Sequence, residues 1–214
     1  MVPEQSLPEP LPAEPLTLAA AWLAEATRRA DQPNPNAMVL ATCDASGRPA
    51  ARVVLCKEIE PAGGSVRFVS NYDSRKGQEL AANPRAALVF YWDHQHRQVR
   101  IEGQVEQASA AESDDYFASR ARDSQLGAHA SGQSRPIGSR AELRAQLEAV
   151  RTRYPGQVPR PPHWGVYVLW VEAVELWVAG AHRLHDRARW TRELALSCSA
   201  QPVAGAWAAT RLQP

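Results

Sequence analysis

The sequence predicts a mainly β fold with some α content (α+β), an antiparallel, Greek-key-like barrel with peripheral helices. Three observations carry this reading. Segments of strand character follow one another through short turns and do not alternate regularly with helices. Neither an internal repeat nor a linker separates them. No GxGxxG turn follows a strand, so the sequence mark of a doubly wound dinucleotide-binding sheet is missing. At 214 residues and 44% hydrophobic, the chain can bury the core of one sizeable domain, expected over 16–214.

The elements follow in order. Residues 1–15, rich in Pro and Glu, read as a mobile N-terminal arm. A helix is expected over about 16–30, with Leu16, Ala19, Leu23 and Ala26 on one stripe. Strands are expected at 37–43 and 51–57, joined by the turn Asp44-Ala45-Ser46-Gly47, and at 66–71 after the Gly63-Gly64 turn. Ser74-Arg75-Lys76 opens a short helix that ends near Asn83-Pro84, and further strands fall at 86–92 and 97–105. Two S-x-x-E sequences, Ser109 to Glu112 and Ser139 to Glu142, mark helix starts as capping boxes. The remaining strands are expected at 164–171, 173–178, 183–190 and 206–212.

Composition narrows the function. A net charge of +1 gives no global field for nucleic acid or an anionic membrane, and no apolar run reaches the length of a membrane span. The N-terminus carries no basic-then-apolar signal, and Cys43, Cys56 and Cys198 form no metal-type pair, so reduced thiols in a cytoplasm are expected. His94 and His96 would share a strand face, but no third ligand is evident and the stretch reads equally as a polar hairpin tip; no metal is expected. Arginine supplies 22 of the 24 basic residues, which singles out Lys57 and Lys76 as sites where a compact ammonium is needed.

Three clusters carry possible chemistry. Ser74-Arg75-Lys76-Gly77 combines two cations with a helix N-terminus, where free N–H groups and the dipole favour an anion; it reads equally as a solvated helix start. Tyr116, Arg120 and Ser124 recur at spacings of four and would present a phenol, a guanidinium and a hydroxyl on one helical face, a donor set suited to a phosphate monoester or simply an exposed face. On a strand, Arg183, His185 and Arg187 would point to one side, as an anion site or a charged edge.

Read in order, these clusters resemble the pyridoxamine 5'-phosphate oxidase family. The resemblance runs through Arg52-Val53-Val54-Leu55-Cys56-Lys57, Asn71-Tyr72-Asp73-Ser74-Arg75-Lys76-Gly77, Arg97-Gln98-Val99 and Tyr116-Phe117-Ala118-Ser119-Arg120. It continues through Asp123-Ser124-Gln125-Leu126-Gly127, Gln133-Ser134, Val158-Pro159-Arg160-Pro161, Trp164-Gly165 and Arg183-Leu184-His185-Asp186-Arg187 to the closing Arg211-Leu212-Gln213-Pro214. It implies an FMN-binding split β-barrel whose homodimer interface holds two FMN molecules, each touched by both chains. The implied FMN contacts are Arg52, Val53, Val54, Leu55, Cys56, Lys57, Val69, Ser70, Arg75, Lys76, Gln98, Gln133, Ser134, Trp177 and Arg187. The implied contacts to a phosphorylated pyridine substrate are Lys57, Tyr116, Arg120, Ser124, Arg183 and His185, with Arg183 and His185 as the catalytic pair that aligns it.

The resemblance also implies a reaction: a hydride passes from the substrate's exocyclic carbon to the flavin, with dioxygen as final acceptor, hydrogen peroxide as by-product and pyridoxal 5'-phosphate as product. Strict alternation sets Arg52 and Lys57 on opposite strand faces; a bulge, or ligands reaching round the strand end, would reconcile this. The chain departs from the family pattern at Val178-Ala179-Gly180, where Gln and two glycines are usual, and at Val69, often Tyr. Two other readings stand beside this one, a related flavin oxidase of phenazine type and a non-catalytic flavin-binding barrel.

Overall fold

In a computed structural model, residues 5–197 and 200–214 are described. Cys198, one of the three expected thiols, lies outside them. Helix α1 (Pro15–Arg29) is followed by strands β1 (Ala37–Cys43), β2 (Pro49–Glu60) and β3 (Ser65–Asn71), helix α2 (Arg75–Ala82), and strands β4 (Arg85–Trp92) and β5 (Arg97–Gln107). Helices α3 (Ala110–Ala118), α4 (Arg122–Ala130) and α5 (Arg140–Arg153) precede the long strand β6 (Trp164–Val178). Strands β7 (Asp186–Thr191), β8 (Leu194–Ser197), β9 (Ala200–Ala204) and β10 (Ala208–Leu212) complete the chain.

The sheet runs β10-β7-β6-β3-β2-β1-β4-β5, and β5 pairs back onto β6, so six antiparallel strands close into a barrel and β7 and β10 extend from it. The split is visible in β6. Its first half, 164–170, pairs with β3, while 173–178 pairs with β7 on the same edge; β5 runs along the other edge from Tyr167 to Val178. The two strands expected at 164–171 and 173–178 are one, and Glu172 is an extra residue where the register against β5 shifts between Glu102 and Gly103. A bulge bends the strand without ending it, which is why the local sequence looked like two segments.

Inward side chains of every barrel strand, among them Leu40, Phe68, Phe90, Ile101 and Leu169, pack with Leu16, Ala19, Trp22 and Ala26 of α1. Trp22 takes the buried position expected of Leu23, which is only partly buried. Each fully buried large apolar side chain contributes about 1.5–3 kcal/mol, before the opposing chain entropy. A second cluster, Phe117, Leu126, Val158 and Trp164, ties α3, α4 and α5 to the start of β6. Residues 5–14, expected as part of an arm, run along the barrel: Leu7 is buried, its N–H donates to Asp186, and the carbonyl of Pro12 accepts from Trp190 Nε1.

The expected strand at 183–190 begins at Asp186. Val178 and Asp186 are the last pair of the β6–β7 hairpin, so Ala179 to His185 must reverse the chain. They do so through a 3-10 turn (Ala181–Arg183) with His182 and Arg183 at positive φ, and Gly180 lies so close to the carbonyl of Leu184 that a Cβ would collide with it. Arg183 and His185 therefore do not alternate on a strand with Arg187. His94 and His96 sit in and beside the turn linking β4 to β5, not on a strand face.

Candidate active site

One large cavity, about 980 Å³, opens between β2, β3, the start of α2 and the α3–α4 region. Two groups of anion-seeking side chains line it. The first is built around α2. Ser74 caps this helix, its hydroxyl accepting from the Gly77 N–H, and a Cβ at Gly77 would strike the carbonyl of Tyr72, so the helix starts tight against the preceding turn. That start projects Arg75 and Lys76 into the cavity beside Arg52 of β2. Lys76 is 8% exposed; its Nζ donates to Gln133 Oε1 at 2.9 Å and to Ser74 Oγ at 3.3 Å. Burial and the neighbouring Arg52 charge push its pKa below the usual lysine value, so an anion here relieves an unfavourable field. Under these cations lies Glu79, 4% exposed, which accepts from Arg52, Arg75 and Thr42.

The second group gathers Lys57, Tyr116, Arg120 and Ser124. The single helical face expected for the last three does not exist, because the helix breaks at Ser119–Ala121 between α3 and α4. The break itself turns Arg120 inward, its guanidinium 4.3 Å from the ring centroid of Trp164. Arg120 Nη1 is buried with no hydrogen-bond partner among the described residues, and burial lowers the pKa of its guanidinium. Arg120 also lines the cavity, and an unpaired guanidinium group so close to the wall favours an anion there. Lys57 reaches the same wall from the exposed face of β2 that it shares with Val53 and Leu55, at the position where the β2–β3 register shifts between Cys56 and Glu58; its Nζ lies 5.9 Å from the Tyr116 ring centroid. The bulge does not carry Lys57 to the face of Arg52: Lys57 stays with exposed Val53 and Leu55, opposite Arg52 and buried Cys56, and the cavity touches residues of both faces.

Val53, Val54, Leu55, Val69, Ser70, Gln133 and Ser134 also line the cavity. Cys56 does not. Its side chain is buried in the barrel core and its thiol is pushed up to about 12 by burial, which leaves it inert. Gln98, Trp177, Arg183, His185 and Arg187 are absent from the cavity wall as well. All but Arg183 form a separate cluster: Gln98 pairs across the sheet with Trp177, which pairs with Arg187. The His185 ring lies 4.6 Å from the Trp177 ring, and its Nδ1 accepts from the Gly180 N–H. Glu175, nearly buried, holds Arg187 at 2.8 Å and Arg100 at 3.2 Å. Val178, where the family usually has Gln, points into the core, away from Trp177.

Sequence reasoning missed Glu79, Thr42, Glu175 and Trp164 as parts of the site. Only Glu79 left a signal, an i,i+4 pairing with Arg75 on a short helix. Among the described residues no three His, Cys, Asp or Glu side chains are grouped to hold a metal, and no helix is long and apolar enough to cross a membrane.

A split antiparallel barrel with a cationic cavity at a capped helix start in its wall fits the class of FMN-binding split-barrel proteins. The comparisons give the particular family. The family model described as pyridoxamine 5'-phosphate oxidase matches residues 24–154, and that of the pyridoxine 5'-phosphate oxidase C-terminal dimerisation region matches 164–214. The chain is 50% identical over 193 residues to a pyridoxine/pyridoxamine 5'-phosphate oxidase of Burkholderia cenocepacia, covering 90% of this chain and 86% of that one. It is 46% identical over 206 residues to the enzyme of that name from Gluconobacter oxydans, covering 95% and 96%. Among solved structures it resembles PhzG from Burkholderia lata, crystallised with tetrahydrophenazine-1-carboxylic acid, at a TM-score of 0.83 and 32% identity over 95% of this chain and 94% of that one. An FMN-binding protein from Nostoc punctiforme shares the fold, with a TM-score of 0.73 at 16% identity over 95% of this chain and 100% of that one. The chain belongs to the pyridoxamine 5'-phosphate oxidase family. It is an oxidase of that family, its cofactor is FMN, and it carries the family's dimerisation region.

Proposed function

We propose that the chain oxidises pyridoxamine 5'-phosphate or pyridoxine 5'-phosphate to pyridoxal 5'-phosphate, working as a homodimer with FMN at the subunit interface. One observation carries the proposal: a single cavity holds two distinct sets of anion donors, enough for a cofactor phosphate and a substrate phosphate. Arg52, Arg75 and Lys76, with Ser70, Gln133 and Ser134, suit the first. Lys57, Tyr116, Arg120 and Ser124 suit the second. FMN supplies the two-electron acceptor for the substrate's exocyclic carbon and passes the electrons to dioxygen. The protein's share is to grip both phosphates and to align that carbon, and no residue need act as a strong base.

Gln98, Trp177, Arg183, His185 and Arg187 would reach that cavity from the second subunit. The outer barrel face supports this arrangement. Val53, Val39 and Val89 form one cross-strand row, and Tyr91, Gln98, Trp177 and Arg187 form a parallel one on the same face. Val53 is 65% exposed and Tyr91 55%, an apolar patch continuous with the cofactor-facing cluster and suited to burial against a second copy. A cytoplasmic setting accords with the free thiols of Cys43 and Cys56.

The likeness to PhzG supports a second reading, oxidation of a reduced phenazine carboxylate. Anaerobic mixing of the yellow protein with pyridoxamine 5'-phosphate separates the two. Bleaching of the flavin is expected; bleaching only by a reduced phenazine carboxylate would transfer the assignment.

A further inference from the structure

The cofactor cradle contains a negative charge where attraction to a phosphate would call for none. Glu79 is buried beneath Arg52, Arg75 and Lys76 yet does not line the cavity, so it touches no ligand there. Its two oxygens are divided between neighbours. Oε1 accepts from Arg75 Nε at 2.8 Å; Oε2 accepts from Arg52 Nη2 at 2.7 Å and from Thr42 Oγ1 at 2.5 Å. Arg52 Nη1 donates in turn to Thr42 Oγ1 and to the Leu40 carbonyl, so the guanidinium is held on two sides. Three elements, β1, β2 and α2, are thereby tied to one carboxylate. Taking it out of water is costly, and its hydrogen bonds to Thr42, Arg52 and Arg75 are what offset that cost.

We propose that Glu79 is a positioning residue for the cofactor phosphate: it holds the Arg52 and Arg75 guanidinia in one fixed arrangement, with their remaining N–H groups turned to the cavity. The inference rests on assigning these arginines to the FMN phosphate. Geometry supports it in that Arg75, whose side chain is largely solvent-exposed, has its Nε–H anchored while Nη1 and Nη2 make no hydrogen bond among the described residues. Charge supports it too. Three clustered cations repel one another when no phosphate is present, and one carboxylate relieves this. The net positive charge left matches a phosphate monoester of about two negative charges. Burial pushes the Glu79 carboxyl up, but hydrogen bonds from Thr42, Arg75 and Arg52 outweigh it and hold the group below its usual value, so the charge is retained.

The test compares FMN with riboflavin, which lacks the phosphate, in titrations of flavin-stripped protein followed by flavin fluorescence. The parent should prefer FMN strongly. Glu79→Gln should lose at least about tenfold in FMN affinity while riboflavin affinity stays within about twofold, because only the phosphate contacts are disordered. Thr42→Val, which leaves the carboxylate and removes one of its tethers, should show the same selective loss to a smaller degree, and it carries the comparison if Glu79→Gln does not fold. Equal loss of both flavins would overturn the proposal in favour of a purely structural ion pair. Unchanged or improved FMN binding would overturn it by showing that the carboxylate merely opposes the phosphate. A parent that binds the two flavins alike would instead sink the phosphate-cradle assignment, and this inference with it.

Discussion

Lys57 and Lys76 differ in how the fold uses them. Lys76 is buried with a neutral amide and a hydroxyl as its only hydrogen-bond partners among the described residues, whereas Lys57 stands exposed on a bulge. Lys76→Ala is expected to weaken FMN by roughly 1.5–3 kcal/mol, the worth of a charge-assisted hydrogen bond, and to leave the KM for substrate much less affected. Titration of the stripped protein checks the first and steady-state kinetics at saturating FMN the second. Arg183 poses a sharper question, since a left-handed turn replaces the strand that would have aimed it. If it aligns substrate across a dimer interface, Arg183→Ala keeps its flavin and its dimer but reduces flavin anaerobically at least about tenfold more slowly, or roughly 1.4 kcal/mol in the barrier. An unchanged rate in stopped-flow would leave Arg183 as a turn residue. Both lysines were legible from composition alone. Glu79 and Glu175 were not, because a buried glutamate is spelled like an exposed one.

The elements place the cradle through local chemistry that the sequence did show. Ser74 and the two S-x-x-E boxes predicted where helices start. At Ser109 both bonds of the box form, while at Ser139 only the hydroxyl bond does and Glu142 turns to the Gly138 N–H. Ser74→Ala removes the acceptor for the Gly77 N–H and the donor to the Asn71 carbonyl. A loss of about 1 kcal/mol in stability is expected from the cap. If the same helix start presents Arg75 and Lys76 to the cofactor, as proposed, denaturant unfolding of stripped and flavin-loaded protein should show a larger loss in the loaded form. What the elements hid was irregularity. The bulges at Lys57 and Glu172 and the break at Ser119–Ala121 each depend on pairing with a distant strand or on packing around Trp164, and no local pattern encodes them.

For the whole molecule, the separation of the two residue groups within one chain supports the proposal that a second copy completes the site. The cavity wall lacks Trp177, His185 and Arg187, and the exposed Val39–Val53 patch adjoins the strand rows that carry them. Val39→Asp should therefore shift the protein towards monomer, since a carboxylate buried at an interface without a partner costs several kcal/mol. Light scattering reads the mass and absorbance the bound flavin; both should fall together. A Val39→Asp monomer that keeps its full flavin would show that one chain suffices for the cofactor.

The sequence by itself determined the barrel class, every strand of the main sheet at least in part though not β8 and β9, the helix starts, and the Arg75–Lys76 and Tyr116–Arg120–Ser124 groups that line the cavity. Those features follow from side-chain period, turn chemistry and charge over a few neighbouring positions. Tertiary structure decided the rest. It merged two segments into β6, turned the expected strand at 183–185 into a hairpin loop, and placed Lys57 on the same cavity as Arg52. It also buried Glu79 and Glu175 under the arginines they hold. Each of these outcomes is set by strand pairing or by burial between residues far apart in the chain, whose energies no local window contains.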